Sequence, residues 1–365
     1  MLLVGNEVMY MANDIYGNFY NPTKLLSTNK PYLFSIGVRS CGKSTGWCIH
    51  LLKDYIKNGH QFIYLRRDKD ELEETAGKAF SNAIVLYNNY YEKRDGWQRI
   101  NKFEYKGGLY YLNEKVCGYG MALSTQQKAK SLPLNEVWWI LYDEFLISKA
   151  GGRYLGGKDN PFKECEALMS LFITVDRGVD KPFRNELRCV MIGNNEKYMS
   201  PIFMRMGVDK YLTKESNFIN PKQTGWALEQ TFSVKALEDA EKSNAYLLSS
   251  EYNRAYSFGG GVFDNTFIGK PDCKLYPIFN VKYNDFVYGI AQTEFGEIFV
   301  SNKAYNLKTN LALTGPDHAP NYQLVKAWRN SYYMCTLRDA INAGKIWYES
   351  QKAKYAIETF FAYDK

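Results

Sequence analysis

Eight residues, Gly37-Val38-Arg39-Ser40-Cys41-Gly42-Lys43-Ser44, constrain this chain more than any other stretch, because they satisfy GxxxxGK[ST] at every fixed position. Their surroundings agree. PYLFSIG (31–37) is a short apolar run ending in glycine, the pattern of a buried parallel strand. KSTGWCIHLLKDYIKNG (43–59) carries apolar residues at helical spacing, with Gly59 placed to end the helix. A strand that turns through glycines into a helix can curl its backbone N–H groups around phosphate, and the helix N-terminus adds partial positive charge. The spacing therefore predicts an ATP site in which residues Gly37 to Thr45 cradle the phosphates. Lys43 would reach the β and γ phosphates and Ser44 would ligate Mg²⁺. The competing reading is a glycine-rich turn that binds nothing.

A phosphate loop needs an acidic strand end to complete the metal shell. Val137-Trp138-Trp139-Ile140-Leu141-Tyr142-Asp143-Glu144 supplies one. Asp143 is expected to hold Mg²⁺ through water, and Glu144 to act as general base on the attacking water, a pairing that favours hydrolysing motors over kinases. Taken alone, the same pair also reads as the cap and first turn of a helix.

A third strand end, Met191-Ile192-Gly193-Asn194-Asn195, offers the amide of Asn194 near the γ-phosphate; a plain turn is the alternative for Gly-Asn-Asn. Arg177 and Arg184 lie between the last two strands, where an arginine could serve a neighbouring subunit's phosphoryl group. Arg66, Arg67 and Lys69 follow the strand QFIYLRR (61–67), and Lys128 and Lys130 precede the acidic strand. On loops at a sheet edge such cations are candidates for DNA or inter-subunit contact, against the commoner reading of a solvated face.

Strands alternating with helices over the first 200 residues predict an α/β fold with a mostly parallel sheet and its ligand site at the carboxyl strand ends. FEYKGGLYYL (103–112) predicts a hairpin turning at Gly107-Gly108. A polar helix over 235–261, closed by three glycines, predicts a linker, and the segments beyond predict a small α+β domain. The expected division is 1–205 for the ATPase domain, 206–263 for a lid or linker, and 264–365 for the C-terminal domain.

Composition narrows the class. With 45% hydrophobic, 23% charged and 16% aromatic residues, the chain has the makings of packed cores and none of a disordered tail. It has no run of 18 apolar residues, and its first residues lack a basic n-region, so neither a membrane span nor a signal peptide is expected. Seven scattered cysteines without a CxxC pair, beside three histidines, disfavour a zinc site and predict reduced thiols. The net charge of +7 tilts expectation modestly toward a polyanionic partner.

With these elements in place, the chain resembles the DNA-encapsidation (packaging) ATPases of phi-29-like podoviruses, relatives of the large terminase motors. The resemblance rests on Phe19-Tyr20-Asn21-Pro22 with Lys24, Leu26 and Ser27, the phosphate loop, and Gly59 with Gln61-Phe62-Ile63-Tyr64 and Arg66-Arg67. It continues through Asp143-Glu144-Phe145, Phe183-Arg184-Asn185 with Arg188-Cys189, and Asn265 with Phe267-Ile268-Gly269. It implies a P-loop (ASCE/RecA-like) ATPase domain, a helical linker and an RNase H-like C-terminal domain without nuclease activity. It also implies a homo-oligomeric ring, read as a pentamer, on the phage portal of the prohead. That ring would drive double-stranded DNA inward and leaves room for a packaging RNA. Such a protein would work in the host cytoplasm, transiently on the prohead, and be absent from the mature virion. Tyr20 and Asn21 become candidates for the adenine end, Lys130 for action across the subunit interface, and Lys69 for the central channel. Aligned from the left, the trans arginine is Arg177; aligned from the right, it is Arg184. A helicase- or recombinase-like ATPase and a weakly hydrolysing ATP-binding assembly protein remain the alternatives.

Overall fold

The structure, a computed structural model, describes residues 15–231 and 267–362 except 18, 38–40, 93–98, 148–153, 157–161, 178–185, 195–199, 212–216, 284–285, 313–322 and 325–330. The predicted helix over 235–261 lies outside them. The chain groups into two compact units, Met1–Gly151 with Glu166–Lys197 and Thr213–Val262, and Gly152–Cys165 with Tyr198–Leu212 and Phe263–Lys365.

Each predicted strand of the first unit forms. They are β1 (Tyr32–Gly37), β2 (Gln61–Arg66), the hairpin β3 (Phe103–Lys106) and β4 (Leu109–Leu112), β6 (Val137–Asp143) and β7 (Arg188–Asn194), and the hairpin runs on into β5 (Lys115–Ala122), a strand the sequence did not predict. Two further strands, β8 (Phe218–Ile219) and β9 (Trp226–Thr231), extend the sheet. The order is β3-β4-β5-β2-β6-β7-β1-β9-β8, and the six strands from β5 to β9 in that order run parallel. Antiparallel pairings confine themselves to the two ends.

The central strands are apolar on both faces, as burial beneath helices requires. In β1, Leu33, Phe34 and Ile36 are all fully buried, each worth roughly 1.5–3 kcal/mol of transfer free energy. Helix α2 (Lys43–Asn58), entered after the short α1 (Thr23–Leu26), covers one face. It buries Trp47, Cys48, Ile49, Leu51 and Leu52 in a core shared with Phe62, Tyr64, Leu141 and Val190. Gly59 ends α2 in the left-handed conformation at φ 77°, its N–H donating to Tyr55 O at 2.8 Å. After β2 come α3 (Lys69–Thr75) and α4 (Ser81–Tyr91), and α5 (Lys163–Arg177) lies between β6 and β7.

The sheet order positions the site. β7 inserts between β1 and β6, so the phosphate-loop strand and the acidic strand are one strand apart, with Gly37 level with Asn194 and Asp143 level with Ile192. Parallel strands put their carboxyl ends on one edge.

In the second unit, β10 (Leu275–Tyr283), β11 (Phe286–Thr293) and β12 (Ile298–Ser301) form an antiparallel meander. To it are added in parallel β13 (Asn310–Ala312), β14 (Gln323–Leu324) and β15 (Ile346–Tyr348), giving the order β14-β13-β10-β11-β12-β15. The helices of this unit are α6 (Pro201–Met206), α7 (Tyr332–Asn342) and α8 (Gln351–Ala362). Met334, Leu337, Ala353, Ala356 and Ile357 of α7 and α8 pack on Phe279, Val281, Ile290 and Val300. This is the small α+β domain expected at the C-terminus.

Candidate nucleotide site

A cavity of about 210 Å³ opens at the carboxyl edge of the parallel sheet, lined by Gly42, Lys43, Ser44, Thr45, Asp143, Glu144, Ile192, Gly193 and Asn194. Three strand ends predicted separately from sequence thus converge on one volume.

The phosphate loop arrives there because its glycines permit what other residues would not. Gly42 has φ 76°, and a Cβ on it would run into the Phe19 ring. Lys43 leaves the loop nearly buried, at 6% exposure. Its Nζ donates to Gly37 O at 3.1 Å and approaches Asn194 Oδ1 at 3.5 Å and Cys41 Sγ at 3.4 Å. Val38, Arg39 and Ser40 lie outside the described residues.

In the first turn of α2, the Ser44 hydroxyl donates to Asp143 Oδ1 at 3.1 Å. The other carboxylate oxygen accepts from Tyr64 OH at 3.0 Å and from Arg66 Nη1 at 3.4 Å. Burial pushes the Asp143 carboxyl above its ordinary pKa, and Arg66 pulls it back. Burial, with Asp143 beside it, pushes the Tyr64 hydroxyl up, so it stays a proton donor. A hydroxyl and a carboxylate brought together as hard oxygen donors are the chemistry Mg²⁺ takes, and the residues present fit that ion.

Glu144 leaves β6 at φ 58°, a left-handed backbone that costs a non-glycine residue roughly 1–3 kcal/mol. Two things hold it. Its Oε2 accepts from Arg66 Nη2 at 2.7 Å, and the backbone carbonyls of Glu144 and Phe145 accept from Arg67 Nη2 at 3.4 and 2.7 Å. The chain then turns, with Phe145 N–H donating to Ile192 O at 3.1 Å, and no helix begins at this point. The helix-cap reading of Asp143-Glu144 therefore gives way to a turn at the sheet edge.

Arg66 and Arg67, expected at a DNA or inter-subunit surface, are buried at 5% and 4% exposure. β2 lies between β5 and β6, so cations at its end face the carboxylates and carbonyls at the end of β6 rather than solvent. Lys69, Lys128 and Lys130 are exposed; Lys69 pairs with Glu73 at 3.0 Å, and the other two ride a 3-10 segment over Leu123–Ser131. Arg177 is exposed at the end of α5, and Arg184 lies outside the described residues.

Tyr20 is buried behind the phosphate loop, its N–H donating to Cys41 O at 3.2 Å and its hydroxyl to Glu229 Oε2 at 2.6 Å. Asn21 Oδ1 accepts from Thr23 N at 3.0 Å and Thr23 Oγ1 at 2.6 Å, which starts α1. Neither lines the cavity. Sequence reasoning missed Tyr64 and Glu229. Tyr64 was legible as the third residue before Arg67 in QFIYLRR, but its inward face at the site was not. Glu229 carries no local signal.

The profile of one family, described as Podovirus DNA encapsidation protein (Gp16), matches residues 15–363. The chain belongs to that family. Among its relatives are the DNA packaging proteins of Bacillus phages phi29 and PZA, each 26% identical over 344 residues, covering 91% of this chain and 94% of the relative. The DNA packaging protein of Bacillus phage B103 is 24% identical over 336 residues, covering 90% of this chain and 95% of its own. In fold, the chain matches a subunit of the bacteriophage Phi-29 viral genome packaging motor assembly with a TM-score of 0.69 and 24% identity, over 94% of this chain and 99% of that one. It matches the Phi-28 DNA packaging motor with a TM-score of 0.66 and 18% identity, over 94% and 97%. The family match bears out the resemblance carried by the motifs up to Gly269 and extends it through the C-terminal region to residue 363.

Proposed function

We propose that this chain hydrolyses ATP at the carboxyl edge of its parallel sheet and uses the energy to drive double-stranded DNA into a phage prohead. The observation that carries the reading is the convergence of Lys43, Ser44, Asp143, Glu144 and Asn194 on one cavity. Membership of a DNA encapsidation family supports DNA packaging as the work that hydrolysis drives.

In this reading Lys43 Nζ, already aimed past Gly37 O, binds the β and γ phosphate oxygens. Ser44, and Asp143 through water, would hold Mg²⁺, which when bound would neutralise charge on the phosphates. Glu144 accepts a proton from the attacking water as its oxygen bonds to the γ-phosphorus and the bond to ADP breaks. Asn194, within reach of Lys43, reports whether the γ-phosphate is present. A trans arginine, Arg177 or Arg184, completes the pocket in a homo-oligomeric ring on the portal, read as a pentamer. Tyr20 and Asn21 stand behind the loop toward the adenine end. Lys69, Lys128 and Lys130 are the exposed cations available to DNA or to a neighbouring subunit. Backbone contacts of this kind grip DNA without reading its sequence.

The second unit is read as an RNase H-like domain without cleavage. Its antiparallel meander with parallel additions supports the fold. In the middle of β10, buried Asn280 donates to Asn310 Oδ1 at 2.9 Å and to Tyr305 O at 2.8 Å, a neutral amide pair rather than a carboxylate cluster.

Phosphate release by the purified protein, with and without double-stranded DNA and Mg²⁺, tests the proposal. Glu144→Gln is expected to bind ATP normally and to lose about 10²–10⁴-fold in turnover. Wild-type turnover in that variant would remove Glu144 as the base. Metal-dependent cutting of plasmid by the pure protein would overturn the reading of the second unit.

A further inference from the structure

We infer that Glu229 is a positioning residue for ATP: through Tyr20 it braces the phosphate loop at Cys41 and keeps the loop shaped for phosphate before nucleotide binds. This role rests on the ATPase reading of the site and adds to it a residue that touches neither phosphate nor metal.

Strand β9 meets the loop at two points. Its register sets Glu229 level with Ser35 of β1 and Thr231 level with Gly37. A Cβ on Gly37 would run into the Thr231 carbonyl oxygen, so β9 packs closely on the residue whose own carbonyl accepts from Lys43 Nζ at 3.1 Å. Two residues before Thr231, Glu229 Oε2 accepts from Tyr20 OH at 2.6 Å, and the Tyr20 N–H donates to Cys41 O at 3.2 Å. Two hydrogen bonds therefore carry the link from the sheet to the loop, the first of them across 209 residues of sequence.

Tyr20 also bounds the start of α2. Its carbonyl oxygen occupies the space that a Cβ on Gly46 would need, and the Phe19 ring does the same at Gly42. The glycines on either side of Lys43, Ser44 and Thr45 are thus covered by two consecutive residues. Glu229 anchors the far end of the Tyr20 side chain. The anchor is firm, because the Glu229 side chain is only 16% exposed and a hydrogen bond to a carboxylate is among the stronger kinds. Lys24, 4.0 Å away on an exposed side chain, adds little to it.

A loop that its ligand must first order loses affinity by the cost of that ordering, and a braced loop does not. Neither Tyr20 nor Glu229 lines the cavity. The brace therefore acts on binding and leaves the bond-breaking step to the groups that do line it.

The test uses the full chain, wild type beside Glu229→Gln, Glu229→Leu and the double variant Tyr20→Phe with Glu229→Leu. Equilibrium binding of a fluorescent ATP analogue, hydrolysis across ATP concentrations and urea denaturation of the nucleotide-free protein are read for each. Glu229→Leu should weaken analogue binding about tenfold or more and raise KM in step, with kcat at saturation within about threefold of wild type. Glu229→Gln keeps an oxygen acceptor for the tyrosine and should stay within about threefold of wild type in affinity. The double variant removes both polar partners, so its stability should return toward wild type while its affinity stays about tenfold down, because the directional bond is gone. Where Glu229→Leu does not fold, the double variant decides by the same readings. Affinity that recovers together with stability in the double variant overturns the proposal and leaves the pair a purely structural contact. Unchanged affinity in Glu229→Leu, or a fall in kcat at unchanged affinity, overturns it too. A double variant that does not fold also overturns it, since the pair then serves the fold. Absence of analogue binding by the wild type sinks the ATPase reading instead.

Discussion

The hydroxyl of Ser44 donates to Asp143 Oδ1 at 3.1 Å across 99 residues of sequence. That contact joins the phosphate loop to the acidic strand and brings together the two residues proposed to hold Mg²⁺. Asp143→Asn keeps the shape and removes the charge. Mg²⁺-dependent ATP hydrolysis should drop by about 10²-fold or more, and nucleotide affinity should lose its dependence on Mg²⁺. Phosphate release and a Mg²⁺ titration of binding measure this, and a variant with unchanged turnover would take Asp143 out of the metal shell.

Glu229 accepts a 2.6 Å bond from Tyr20 and has Lys24 at 4.0 Å. Burial holds its carboxyl above the ordinary pKa, so the tyrosine compensates a costly charge. Tyr20→Phe should destabilise the first unit by about 1–3 kcal/mol, while Tyr20→Phe combined with Glu229→Leu should recover most of that. Denaturation of the single and double variants decides; a double variant no better than the single would show that the two act apart.

Gly46 and Gly59 are both near α2 yet should answer differently to alanine. A methyl at Gly46 would run into the Tyr20 carbonyl oxygen, whereas Gly59 at φ 77° opens on empty space. Gly46→Ala should cost about 1–3 kcal/mol or more despite the helix propensity of alanine, and should weaken nucleotide binding by displacing Tyr20 from Cys41. Gly59→Ala should cost about 1 kcal/mol and leave binding unchanged. Melting temperature and analogue affinity of both variants give the comparison.

His50 is enclosed edge-on between Trp47 and Trp139, with ring centroids at 5.8 and 4.7 Å. Burial lowers its pKa to about 4; Asp54 opposes the shift, and Lys53 and Arg188 add to it. The unfolded chain, with histidine near 6.5, binds the extra proton first. Stability should therefore rise with pH between about 4 and 6.5 and be flat above, with up to about 3 kcal/mol at stake. His50→Leu should flatten that window in denaturation curves taken across it. An unchanged slope would place the histidine's proton elsewhere.

Arg177 stands exposed at the end of α5. If it acts on a neighbour's nucleotide, mixing Arg177→Ala subunits with wild type should inhibit more than in proportion to their fraction. Strictly proportional loss of hydrolysis would argue against trans action by Arg177.

Both the phosphate loop and the acidic strand end were legible in the sequence, because each is a local pattern. A glycine spacing, an apolar run with a polar end and a helical period all lie within a few residues of one another. The hairpin at Gly107-Gly108 and the end of α2 at Gly59 were legible for the same reason, since turn chemistry is local. The amide of Asn194 was a candidate with a plain turn as its rival; its place 3.5 Å from Lys43 follows from β7 lying between β1 and β6, and strand order leaves no mark on periodicity.

The sequence by itself determined the nucleotide motif, the alternation of strands and helices, and which strand ends carry polar groups. Tertiary structure alone decided which of those ends meet and where each charge goes. Arg66 and Arg67 read as surface cations along the chain, yet the neighbours of β2 turn them inward onto Asp143, Glu144 and Phe145. Whether a cation grips DNA or holds a carboxylate depends on what the adjacent strand places beside it, and that neighbour is set by packing across the whole sheet.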